Sequence, residues 1–127
     1  MPERDDVFAR RVFTGAGIYG VLCIAPMYFL ESRIAAGNPP AITHPEFYYG
    51  FVGVTLAWQL VFLVIGRDPL RYRPLMPVAM LEKLAFGLAV PVLMMQGRVS
   101  GAPVVGAAVD MMLFVLFAVS YLRTRTA

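Results

Sequence analysis

The sequence predicts an all-α integral membrane protein, a four-helix bundle of antiparallel up-down topology with both the N and C termini cytoplasmic. Three observations carry that expectation. Of 127 residues, 59% are apolar and only 15% charged, with a mean hydropathy of +0.69. That is too little charge to coat a water-soluble domain and the reverse of a disordered chain. The apolar residues fall into four runs, each long enough for the roughly 20 helical residues that cross about 30 Å of hydrocarbon. Finally, the arginines collect between alternate runs, as in multi-pass membrane proteins. Strands do not fit, because the runs are continuous rather than alternating and too long for barrel strands. Backbone groups in lipid must be satisfied within the segment, which leaves helices. The length suits one transmembrane domain over residues 1–127.

The first span covers residues 12–30 without a charge, between Arg10-Arg11 and Glu31. Its apolar stretch exceeds the usual 7–15 residues of a signal-peptide core, so it is read as an uncleaved anchor. A longer connection, 31–46, follows. Gly37-Asn38-Pro39-Pro40 predicts a turn there, and His44-Pro45-Glu46 opens the second helix, with proline at the first helical position and an acid in the first turn. The second span, 47–66, is uncharged and stops at Arg67-Asp68-Pro69. The third, 74–97, is interrupted only by Glu82 and Lys83, and the fourth, 99–122, only by Asp110.

Orientation follows from the basic residues. Arg4, Arg10 and Arg11 precede the first span, Arg67, Arg71 and Arg73 join the second to the third, and Arg123 and Arg125 follow the fourth. The other two connections hold one arginine each, Arg33 and Arg98. With four crossings the three basic segments share one side, which is then the cytoplasm. Tyr28, Phe29, Phe47, Tyr48 and Tyr49 form an aromatic belt on the outer side, with Tyr72 and Tyr121 on the inner. The same distribution explains a charge of +3 and a pI near 9.4 without nucleic acid as a partner. The partners expected are the lipid bilayer, another membrane protein, or a second copy of the chain.

Helices in lipid associate through small residues that permit close approach. Gly15, Gly17 and Gly20 on the first span, Gly50, Gly53 and Ala57 on the second, and Gly106 with Ala107 on the fourth are the candidates. Pro26, Pro77 and Pro91 are expected to kink or begin helices.

The lone Cys23 and lone His44 cannot supply a disulfide, a metal site or a two-ligand haem site, so no metal and no cofactor are expected. No catalytic set is present, and no segment outside the membrane is large enough to build an active site. Chemistry is therefore sought at membrane depth, where ionisable residues are costly. These are Glu82, Lys83 and Asp110, joined by the neutral Gln59, Tyr19 and Trp58. At about 1.5 Å per residue, Tyr19, Gln59 and Glu82 lie about 10–12 Å from the cytoplasmic ends and Asp110 about 18 Å, within reach of a lysine side chain. Adjacent Glu82 and Lys83 diverge by about 100° and are not expected to face one partner; one arrangement pairs Lys83 with Asp110 and turns Glu82 to Gln59 or Tyr19. Two readings follow: a proton-titratable ligand site, or an interhelical clamp that fixes helix register. The basic connection holding Arg67, Arg71 and Arg73 is a candidate for contact with anionic lipid headgroups.

The stretch His44-Pro45-Glu46-Phe47-Tyr48-Tyr49-Gly50, running on to Arg67-Asp68-Pro69, together with the size and four spans, resembles small bacterial four-helix membrane proteins of the DoxX-like kind. The resemblance implies a bacterial cytoplasmic membrane and a bundle fold, and carries over no catalytic residue. A likeness to small multidrug transporters fails, because the first span lacks their carboxylate. Function is accordingly expected to be that of an accessory subunit binding another membrane protein or lipid. The alternative is a proton-linked carrier or binder of a lipid-like ligand using Glu82 and Asp110.

Overall fold

A computed structural model of the chain describes residues 2–37 and 42–124. Among the described residues it is all-helical, with five α-helices and no strand. Helix α1 runs Pro2–Ile24 and passes through Pro26 into a 3-10 turn, Ala25–Phe29. A short α2 spans Glu31–Gly37, and α3 spans Pro45–Arg67. A second 3-10 turn, Arg73–Leu75, leads into α4, Met76–Met95, and α5 spans Ala102–Arg123. Four of these helices are long and apolar enough to cross a membrane.

The boundaries follow local chemistry. Helix α1 begins at Pro2 rather than near residue 12, because the charged Asp5–Arg11 region is soluble yet helix-compatible; Asp6 and Arg10 pair one turn apart at 3.0 Å. Pro45 stands at the start of α3, where its missing N–H costs nothing. Pro77 takes the same role in α4, while Pro91 lies inside that helix. Helix α2 occupies part of the connection that the sequence gives only a turn. Beyond Gly37, the expected turn at Asn38-Pro39-Pro40 lies outside the described residues, as does Arg125.

Packing is uneven. Helix α1 lies against α3, α4 lies against α5, and α1 meets α5, whereas α3 and α4 touch only sparingly although they follow one another in the chain. The core joins α1, α3 and α5 through three phenylalanines. Phe13 and Phe117 stack at 4.2 Å between centroids, and Phe62 meets Phe117 edge-on at 5.0 Å. Ala9, Ala16, Ile65, Met76 and Ala79 fill the space around them. Close approach of α1 to α3 depends on glycine: a Cβ on Gly17 would sit 2.6 Å from the Leu63 side chain, and one on Gly20 would overlap Gln59.

The ends of the long helices are tied by polar contacts. Arg10 donates to the Arg67 carbonyl, Arg73 donates to the Tyr121 carbonyl at 2.8 Å, and the Arg123 guanidinium lies 4.4 Å from the Phe8 ring. These contacts gather the start of α1, the α3–α4 connection and the end of α5 together. Tyr48 donates to the Met27 carbonyl and Tyr49 to Glu31, which ties the end of the first spanning helix to the start of α3.

Candidate functional site

Lys83, the chain's single lysine, is the centre of the polar cluster. It points from α4 into the protein and is only 4% exposed. Its Nζ lies 3.4 Å from Glu82 Oε2 and 3.4 Å from Asp110 Oδ1 on α5. The same Nζ stands 5.0 Å from the centre of the Phe62 ring on α3, an attractive placement for a cation over a π face. One lysine therefore serves two carboxylates, and the cluster holds one more acidic group than basic. Glu82 Oε2 is buried and accepts no hydrogen bond. At 3.4 Å the contact to Lys83 is an ion pair, beyond the usual hydrogen-bond range.

This arrangement corrects one expectation. Glu82 turns to Lys83, and not to Gln59 or Tyr19. The 100° between neighbours on a helix fixes where Cβ points, but a four-carbon lysine chain can bend back to its neighbour's carboxylate. Gln59 is occupied elsewhere: it is 2% exposed, donates to the Thr55 carbonyl at 2.9 Å and packs on Gly20 of α1. Tyr19 is 47% exposed and lies on the outside of α1. Trp58 packs beside the core, its ring 6.3 Å from Phe62. The cluster therefore comprises Glu82, Lys83 and Asp110, supported by Phe62, an aromatic that carries no polar signal in the sequence.

Beside the cluster, the poor contact between α3 and α4 leaves a groove of about 480 Å³. Phe51, Val54, Thr55 and Trp58 line it from α3, and Val78, Leu81, Glu82, Ala85 and Ala89 from α4. Val54 and Leu81 are each 64% exposed, so the groove opens sideways along the helices and not toward an end. Both lining sets repeat at three and four residues, a helical stripe present in the sequence. What hides it there is that every face of these spans is apolar. Of this wall, Glu82 and Trp58 are sequence candidates; Phe51, Val54, Thr55 and the remaining α4 residues are not.

The three basic candidates have different positions. Arg73 is committed: its Nε donates to Thr124 Oγ1 at 3.2 Å, and its guanidinium lies 3.8 Å over the Tyr121 ring, capping the end of α5. Arg71 is exposed, with its backbone N–H held by Asp68 and its guanidinium 5.4 Å from the Tyr72 ring. Arg67 is exposed, and its carbonyl receives Arg10. Among the described residues, no group of three or more His, Cys, Asp or Glu is placed to hold a metal ion.

No family model matches the chain, and no curated protein or solved structure matches it either.

Proposed function

We propose that the chain is a multi-pass protein of the bacterial cytoplasmic membrane that holds a lipid-like ligand in the groove between α3 and α4, with Glu82, Lys83 and Asp110 as its polar anchor. In this reading the four long helices form an antiparallel up-down bundle with cytoplasmic termini. The arginine contacts support that arrangement, since Arg10, Arg67, Arg73 and Arg123 stand at one end of the molecule, and basic residues favour the cytoplasmic face. Exposed Arg67 and Arg71 remain there for anionic headgroups, while Arg73 serves the fold. The DoxX-like resemblance is compatible with this reading and rests on the quoted residues alone.

The observation that carries the ligand reading is the position of Glu82. Glu82 lines a groove whose other walls are apolar apart from Thr55, and which opens along the side of the helices. A simple clamp has no need of such an opening, because Lys83 and Asp110 meet behind it. An amphipathic molecule arriving through the bilayer fits both parts: its chain against Val54, Leu81 and Ala85, its polar group at Glu82.

Native mass spectrometry of the protein released gently from its own host's membrane tests this. A bound small molecule or lipid that disappears in Glu82→Gln, with folding intact, is the expected result. A stoichiometric protein partner without any small ligand would overturn the reading and favour an accessory subunit.

A further inference from the structure

The charge of the groove restricts which amphiphile can occupy it, on the reading that the groove is a ligand site. Of the three charged residues in the cluster, only Glu82 lines the groove. Lys83 is sealed behind it, its one positive charge facing two carboxylates at equal distances of 3.4 Å. The groove thus presents the acidic member of a cluster already one positive charge short. Unpaired charge in a medium of low dielectric is expensive, and a cation arriving at that point relieves it. An anionic head meets repulsion there, and a neutral head leaves the excess carboxylate to be neutralised by a proton instead.

We propose that the ligand is a single-chain amphiphile with a monocationic head, its ammonium seated at Glu82 and its chain lying along α4 toward Ala89. The groove has room for that pose. Seven residues of helix separate Glu82 from Ala89, about 10 Å of groove, and Phe51 and Phe86 also line it, their ring centroids 6.2 Å apart. The cation completes a four-charge set of two carboxylates and two ammonium groups, with no net charge left in the membrane interior. Phospholipids and fatty acids, whose heads carry phosphate or carboxylate, are thereby disfavoured in the groove even though they surround it.

Trp58, the chain's single tryptophan, lines the groove and reports on its occupancy. The protein is placed in phosphatidylcholine nanodiscs and titrated with dodecyltrimethylammonium, dodecanol or dodecyl phosphate, which share one chain length. The expected result is a saturable change in Trp58 emission with the ammonium compound, at a half-saturation at least about tenfold below that of the alcohol. Glu82→Gln should remove the difference between ammonium and alcohol, and Glu82→Asp should keep it. If the alcohol or the phosphate saturates at concentrations as low as the ammonium, the charge inference is wrong while the groove remains a ligand site. If none of the three compounds changes the emission saturably, the groove itself is not a site and both proposals fall. The comparison among head groups uses the unaltered protein, so it stands even if a variant folds poorly.

Discussion

Replacing Lys83 with Met is the most informative single change, because it keeps an unbranched side chain of similar length and deletes the cluster's only positive charge. Each ion pair, at 3.4 Å, carries about 5 kcal/mol of Coulomb attraction at an effective dielectric constant of about 20. Most of that offsets the desolvation of the three groups. What the variant exposes is the cost of leaving two carboxylates, with side chains only 17% and 19% accessible, without a counter-charge. Breaking buried pairs in this way costs about 3–5 kcal/mol, and partial access to the groove argues for the lower figure, about 3 kcal/mol. Because the penalty is stranded charge and not lost packing, removing all three charges should undo it. Lys83→Met combined with Glu82→Gln and Asp110→Asn should return to within about 1 kcal/mol of the unaltered protein. Reversible unfolding in mixed micelles of rising dodecyl sulfate fraction, followed by helical circular dichroism, measures both quantities. A Lys83→Met protein as stable as the original, or a triple variant no better than the single, would refute the ion-pair account. A triple variant that folds well yet binds no ligand would also separate the two roles of the cluster.

Three further outcomes are expected. Gly20→Val should destabilise by about 1–3 kcal/mol in the same titration, since its side chain collides with the fully packed Gln59, and Gln59→Ala in the same molecule should recover most of the loss. Arg73→Ala removes the guanidinium bonds to the Tyr121 carbonyl and Thr124, at about 1–3 kcal/mol, and should speed amide hydrogen exchange in the last turn of α5. Arg73→Lys should not rescue it, because an ammonium cannot make the forked contact or stack on Tyr121. In a Cys23→Ser background, Ser100→Cys should react with an impermeant maleimide in intact cells and Arg71→Cys only after permeabilisation; the opposite pattern would reverse the proposed orientation.

The four long helices are legible in the sequence because run length and charge content are one-dimensional properties, and lipid leaves the backbone no alternative. The short α2 and the 3-10 turn at Ala25–Phe29 are not legible: both depend on how Pro26 ends the first helix and how Tyr48 and Tyr49 hold the chain beyond it. Depth along the helix brings Asp110 within reach of the Lys83 side chain, and they do meet. The partner of Glu82 is misread, because a helical wheel describes where side chains start and not where a long one ends. Gln59 and Arg73 show the same failure in another form. Polarity marks both as candidates, but the fold commits Gln59 to Thr55 and Gly20, and Arg73 to the end of α5. The groove is hidden for a different reason: its stripe of apolar residues differs from its neighbours only in what fails to cover it.

That failure to cover has a cause in α4. Its buried positions, Ala79, Lys83, Gly87 and Val90, follow helical spacing. Two of them reach α5 directly, Lys83 through Asp110 and Gly87 through Met111, whose sulfur would lie 2.6 Å from any Cβ at that glycine. The small residue and the charge together draw α4 onto α5. Meanwhile the glycines of α1 and the Phe13–Phe62–Phe117 group draw α3 onto α1 and α5. Two strong pairs leave the α3–α4 seam sparsely packed, although the shortest connection between spanning helices, after α4–α5, lies there. Glu82, one position before the lysine that faces inward, is turned toward that seam by the helical period itself. The charged residue and the opening therefore share a single origin: the register that buries Lys83 against α5 also presents Glu82 to whatever enters between α3 and α4.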